Sequence, residues 1–132
     1  MPAEPPYQDD PTISDDDVLL RRIPRNQYVV DPKSSDGIRP TSGAFDDSSD
    51  GSPMSMTLAS ECAGPPEALI ADMVGAGVAA VCVELVRSLG QGVVRDPTPD
   101  DPGHVLVFGV KPKRSFGRRL AKESGWAVKP TP

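Results

Sequence analysis

The sequence predicts an α+β fold: a small, mostly antiparallel sheet with two or three helices on one face, an irregular acidic N-terminal arm and a long polar loop. Short apolar runs rich in β-branched residues alternate with turn signals, and two segments have the spacing of a helix. The 16 prolines and 12 glycines among 132 residues interrupt these runs. Antiparallel strands with helices grouped on one side satisfy this order of elements best.

The N-terminal segment 1–17 has four prolines and five aspartates, and it carries six acidic residues and no basic residue. Such a composition predicts a disordered or draped arm, with residues 18–132 as a single α+β domain. The arm keeps the protein soluble in the simplest interpretation. The alternative is that the acidic arm attracts a basic surface of a partner protein.

The first two strands are expected at 18–23 and 28–30, where apolar residues flank the turn residues that follow Pro24. This arrangement predicts a hairpin. Residues 31–64 are rich in Ser, Asp, Gly and Pro and predict a long polar loop, which Phe45 ties to the core.

A short helix is expected over 65–74, because Pro65 suits a helix start. The main helix is predicted over 78–89 by apolar residues at positions i, i+4, i+7, i+8 and i+11. These residues are Val78, Cys82, Leu85, Val86 and Leu89. On this prediction Cys82 is buried, and Cys62 lies in a loop.

The C-terminal part predicts a hairpin of two strands, 93–95 and 105–110, around a turn rich in proline and aspartate. A last helix follows over 116–124, with an extended segment at 126–128. In this helix Phe116 faces the core and the basic residues face outward.

The composition excludes several classes of protein. No apolar run approaches the roughly 18 residues of a membrane span, and the N-terminus has no apolar core of a secretory signal. Two cysteines 20 residues apart indicate reduced thiols, so we expect a cytoplasmic protein. The net charge of −5 makes nucleic acid a less favoured partner than protein.

An acidic loop resembles part of a calcium-binding loop. Asp46, Ser48, Asp50 and Gly51 match positions 1, 3, 5 and 6 of that pattern, but position 12 is Thr57 instead of the required bidentate carboxylate. We therefore expect no metal site. We expect no cofactor either, because no phosphate-binding or dinucleotide-binding glycine motif is present.

Charge is segregated along the chain, and the last 31 residues carry seven basic residues against one acidic residue. A helix with a basic face can hold an anionic partner, and arginine offers a planar fork for carboxylate or phosphate. The alternative is a solvated face that balances the acidic middle of the chain. The predicted binding residues are Arg39, Lys113, Arg114, Arg118, Arg119 and Lys122.

A catalytic alternative has three candidate residues. His104 is the only histidine and lies where a turn becomes an apolar strand, which would suit a general base. Arg22 and Ser42 would complete an Arg/Ser/His cleft. No residue that would orient His104 is identifiable, so enzymatic activity is uncertain and the sequence favours a protein without it.

The segments from Leu19 to Pro24, from Arg39 to Phe45 and from Asp50 to Ser55 resemble small hypothetical proteins of GC-rich bacteria. The resemblance extends over most of the chain after residue 17. It implies no known activity and no site residues.

Two hypotheses of function follow. The first is a small cytoplasmic interaction or accessory protein, antitoxin-like or a subunit of a complex, that binds a macromolecular partner. The second is a small enzyme or a binder of a phosphate or nucleotide ligand, centred on the Arg/Ser/His cleft. The missing catalytic constellation and the segregated charge favour the first.

Overall fold

The computed structural model describes residues 7–112 and 115–131. These residues form eight strands and two α-helices, which confirms the α+β class. The strands are β1 (Val18–Ile23), β2 (Tyr28–Val30), β3 (Ile38–Pro40), β4 (Met54–Leu58), β5 (Gly77–Cys82), β6 (Gly92–Arg95), β7 (His104–Phe108) and β8 (Gly125–Val128). The helices are α1 (Val83–Ser88) and α2 (Ser115–Glu123). None of the helices in the described part of the chain is long and apolar enough to cross a membrane.

Six strands form one antiparallel sheet in the order β6-β7-β4-β1-β5-β8, and β2 pairs with β3 in a separate two-stranded sheet. The hairpin predicted from 93–95 and 105–110 is confirmed as β6 and β7. The hairpin predicted from the first two strands is wrong, because β1 lies between β4 and β5. β1 buries Leu19 and Ile23 on one face of the sheet and Leu20 on the other. A strand that is buried on both faces takes a central position in the sheet.

The hydrophobic core lies against one face of the main sheet, which we call the inner face. Alternate strand residues such as Leu19, Met56 and Val105 point to this face. Both helices contribute buried side chains to the same cluster, including Val86 from α1 and Leu120 from α2. The helix predicted over 116–124 is confirmed as α2, and the segment at 126–128 is confirmed as part of β8.

The helix predicted over 78–89 is wrong in its first half. Residues Gly77–Cys82 form β5, and only Val83–Ser88 are helical. β5 lies between β1 and β8 and is almost wholly buried, so its apolar residues form a continuous run instead of an alternating one. That run happened to match helical spacing. Cys82 ends the strand and is exposed, which corrects its predicted burial.

The long loop predicted over 31–64 contains two strands, β3 and β4, and is corrected accordingly. β4 (Met54–Leu58) is a central strand of the main sheet. Its methionines and leucine face the core, whereas Ser55 and Thr57 face outward. The helix expected over 65–74 is only a 3-10 turn at Pro66–Ile70.

Residues 7–17 lie along the edge strand β6 and the helix α1. Asp10 donates its backbone N–H to the Val93 carbonyl oxygen at 2.8 Å, and Val93 donates to Asp9 Oδ1 at 2.8 Å. Ile13 is buried in the core. The N-terminal segment therefore covers one edge of the main sheet.

Candidate functional site

A cleft of about 590 Å³ lies between the loop that joins β2 to β3, the exposed side of α2 and the strand β8. We call it the basic cleft. Most of its polar lining residues carry charge. The lining residues include Asp31, Lys33, Asp36, Ile38, Arg39, Ser42, Arg118, Lys122 and Trp126.

Asp31 organises the loop side of the basic cleft. Its carboxylate accepts hydrogen bonds from Arg39 Nε at 2.7 Å and from the Lys33 backbone N–H at 3.0 Å. Its backbone N–H donates to the carbonyl oxygen of Gly37, whose φ of +75° closes the turn. Hydrogen bonding to Arg39 and then to the Lys33 N–H lowers the pKa of Asp31. Asp31 is therefore a structural carboxylate that fixes Arg39 at the rim.

The helix α2 supplies the opposite wall. Phe116 and Leu120 are buried against the core, which turns Arg118 and Lys122 to the exposed side. These two residues are four positions apart, so they lie one above the other on the same helical face. Helix amphipathicity thus brings two cations into one cleft.

Trp126 on β8 contributes an aromatic surface to the cleft. Its indole Nε1–H donates to the Ile38 carbonyl oxygen at 2.9 Å, and its ring meets Tyr28 edge to face at 6.4 Å. Tyr28 in turn donates its hydroxyl to the Gly75 carbonyl oxygen at 2.6 Å. The indole is therefore held rigidly while part of it remains accessible.

Four cations and two carboxylates line the basic cleft. Among the described residues, Arg39 is the only one of the four cations with an ion pair, which it makes to Asp31. Lys33, Arg118 and Lys122 have no carboxylate within ion-pair distance in that part of the chain. In the part of the chain that the structure describes, the cleft therefore keeps a net positive charge.

The structure brings together three of the predicted binding residues, Arg39, Arg118 and Lys122, and adds Lys33, which is not among the predicted residues. Arg119 does not join them. It forms an ion pair with Glu123 one turn later and lines a small cavity beside Leu89. The remaining two, Lys113 and Arg114, lie outside the described residues.

The three residues of the catalytic hypothesis do not line one cavity. Arg22 and His104 line a second cavity, of about 440 Å³, whereas Ser42 lines the basic cleft. The His104 ring approaches Asp96, with Nδ1 at 2.9 Å from its carbonyl oxygen and 3.3 Å from Oδ2. Asp96 is thus the neighbour that orients His104, and no pattern in the sequence identifies it.

The acidic loop uses its carboxylates internally. Asp47 Oδ1 accepts from the Met54 backbone N–H at 3.0 Å and from Lys111 Nζ at 2.7 Å. Asp50 Oδ1 accepts from the Ser52 backbone N–H at 2.9 Å. Within the described residues, no three His, Cys, Asp or Glu side chains are grouped so that they could hold a metal ion.

Two features of the basic cleft had weak signals in the sequence. Lys33 follows Asp31-Pro32, a turn signal that places its neighbours close together. Trp126 is the only tryptophan, and it begins the run after the last helix. Their meeting with α2 depends on tertiary packing, which no local pattern encodes.

Comparison of the chain with protein-family models, with curated proteins and with solved structures finds no match. Functional conclusions therefore depend on the geometry of the cleft and its surroundings.

Proposed function

We propose that this protein is an interaction protein that binds an acidic segment of a partner protein in the basic cleft. The observation that carries the proposal is the convergence of Lys33, Arg118 and Lys122, without carboxylate partners among the described residues, on one cleft. Unneutralised charge of one sign in a concave site attracts a ligand of the opposite sign and accelerates its encounter.

The mixed lining of the cleft favours a polypeptide over nucleic acid. Asp31 and Asp36 stand among the cations and would repel a continuous phosphate backbone. A peptide can place acidic side chains at Arg118 and Lys122 and an apolar side chain against Trp126. The net charge of −5 supports the same preference.

The strand β8 adds a second element of recognition beside the cleft. It forms one edge of the six-stranded sheet, so its outer backbone groups face away from β5. Exposed edge strands pair readily with an extended segment of another protein. An acidic segment bound along β8 would therefore have both backbone and side-chain partners.

The test is affinity capture of partners from cells that produce the protein, with three variants compared in parallel. We expect Arg118→Gln/Lys122→Gln to reduce partner affinity about tenfold, because two charge contacts are lost. The matched control is Arg119→Gln, which removes a charge from the same helix outside the cleft. Capture should also weaken as salt is raised, since exposed charges are screened.

The captured partner should then bind in purified form through an acidic segment. Equal capture by the wild type and Arg118→Gln/Lys122→Gln would contradict the proposal. Capture that nuclease treatment abolishes would identify nucleic acid as the ligand and would also overturn it.

A further inference from the structure

The main sheet opens between its central strands β1 and β4. Leu19 pairs with Leu58 and Leu20 pairs with Thr57, but the rest of β1 pairs only with β5. β4 meanwhile continues beside β7 as far as Met54. The second cavity, of about 440 Å³, is lined by residues of both strands at this separation. We call it the β1–β4 cavity.

Arg21 bridges the opening. Its Nη1–H donates to the Ser55 carbonyl oxygen at 2.7 Å and its Nε–H donates to the Ala44 carbonyl oxygen at 3.0 Å. The side chain thus supplies a hydrogen bond that a paired strand would otherwise provide. Among the described residues, Arg21 has no carboxylate within ion-pair distance. Hydrogen bonds to neutral carbonyl groups stabilise its positive charge.

Arg22 follows Arg21 in β1, so the two side chains point to opposite faces of the sheet. Arg21 reaches the Ala44 and Ser55 carbonyl oxygens, and Arg22 brings its guanidinium to the cavity. Burial lowers the pKa of Arg21, and the charge of Arg22 lowers it further, against smaller opposing effects of Asp46 and Asp47. Arg22 is therefore the guanidinium that can meet a ligand, and an anion bound to it would reduce the repulsion between the two charges.

The outer row of the sheet brings His104 to the same cavity. Leu20 pairs with Thr57, and Thr57 pairs with His104, so the three side chains lie side by side on one face. Arg22 is two residues after Leu20 and points to that face as well. Thr57 donates its hydroxyl to Asp101 at 2.6 Å, and Asp96 contacts the His104 ring, so the nearby acids are already engaged.

The remaining lining divides into polar and apolar parts. None of the described residues that line the cavity carries a carboxylate. Polar atoms come from Ser55 and Gln27, and an apolar surface comes from Leu20 and Met73. The volume lies within the range of small-molecule sites and exceeds what a bare phosphate needs.

We propose that the β1–β4 cavity binds a small phosphomonoester with an apolar body. The Arg22 guanidinium binds the phosphate, His104 approaches it from β7, and the apolar body packs on Leu20 and Met73. The planar guanidinium matches two phosphate oxygens at once, which gives both strength and orientation. The site is independent of the basic cleft and of its acidic partner.

The test uses the full chain with phenyl phosphate as the probe, followed by calorimetry and by ³¹P NMR. Inorganic phosphate and phenol serve as the two halves of the probe. We expect phenyl phosphate to bind more tightly than either half. Arg22→Gln and His104→Ala should each weaken it, the former about tenfold, because a bidentate charged contact is lost.

Arg25→Gln is the matched control, because it removes an exposed arginine that does not line the cavity. Its affinity for phenyl phosphate should equal that of the wild type. Three results would overturn the proposal: no binding of phenyl phosphate, equal binding by Arg22→Gln, or a loss of binding in Arg118→Gln, which would place the ligand in the basic cleft. Far-ultraviolet circular dichroism verifies that each variant is folded.

Discussion

Gly117 determines how closely α2 approaches the 3-10 turn Ser42–Ala44. A Cβ atom at position 117 would collide with the Ser42 carbonyl oxygen, which belongs to the backbone and cannot rotate away. Since α2 carries Arg118 and Lys122, this close approach also fixes one wall of the basic cleft. Glycine is required here by space and not by an unusual φ angle.

Gly117→Ala should therefore destabilise the protein. Alanine favours an exposed helix by about 1 kcal/mol relative to glycine, but overpacking costs about 1–3 kcal/mol and outweighs that gain at this contact. Urea unfolding measures the difference. Gly43→Ala is the control, because a Cβ there meets nothing within 4 Å. A Gly117→Ala variant more stable than the wild type would contradict the packing argument.

Single residues also explain how far the candidate site could be predicted. Arg39, Arg118 and Lys122 were selected from charge and helical periodicity, which are local properties. Lys33 and Trp126 join them only because the β2–β3 loop, α2 and β8 pack together. That packing depends on contacts between residues far apart in the chain, such as the Trp126 indole and the Ile38 carbonyl.

Ion pairs of two arginines attach the N-terminal segment to α1 and β6. Arg87 on α1 forms ion pairs with Asp9 and Asp15, at 3.1 and 2.8 Å. Arg95 on β6 forms ion pairs with Asp10 and Glu61, at 2.9 and 2.7 Å. These pairs join four parts of the chain across the surface: the N-terminal segment, the turn that ends at Glu61, α1 and β6.

The pairs of Arg95 predict a dependence of stability on pH. The pKa of Glu61 is lowered chiefly by its hydrogen bond to Arg95, and that of Asp10 chiefly by Thr12, with Arg95 contributing less. Lowered carboxyl pKa values stabilise the folded state above the ordinary values of about 4, and this contribution disappears as the pH falls through the folded values.

Urea midpoints measured between about pH 6 and pH 3 should therefore fall more steeply for the wild type than for Arg95→Gln. Both carboxylates are half-buried and remain accessible to solvent, which screens their charges, so the difference will be small. Arg25→Gln, which removes an exposed arginine without an ion pair among the described residues, should follow the wild type. Parallel curves for the wild type and Arg95→Gln would refute this role of Arg95.

Elements with a clear local signal were predicted well, and the errors have a common physical cause. β6, β7, α2 and β8 are bounded by turn residues and show the expected period. β5 is buried on both sides, so it lacks the alternation that marks a half-buried strand. β4 was overlooked because its Met-Ser-Met-Thr-Leu sequence is poor in β-branched residues and lies among loop-forming residues.

At the scale of the whole molecule, the two edges of the main sheet differ. The N-terminal segment covers β6 through Asp9 and Asp10, whereas β8 forms the opposite edge beside the basic cleft. Uncovered edges promote association between copies of a protein. The covered edge thus limits pairing at β6.

Deletion of residues 1–12 should expose the Val93 backbone groups and cause self-association that increases with concentration. Analytical ultracentrifugation measures this association. Deletion of residues 1–6 alone is the control, because it retains Asp9 and Asp10. A form lacking 1–12 that sediments as a monomer at every concentration would show that the segment has no protective role.

Trp126 is the only tryptophan in the chain, and its indole forms part of the basic cleft. The protein therefore carries a natural fluorophore at the place where its partner is proposed to bind. An acidic peptide that enters the cleft would change the polarity around the indole and shift its emission. Phenyl phosphate in the β1–β4 cavity, which Trp126 does not line, would leave the spectrum unchanged. The emission maximum of Trp126 in one unlabelled sample can thus distinguish occupancy of the two sites.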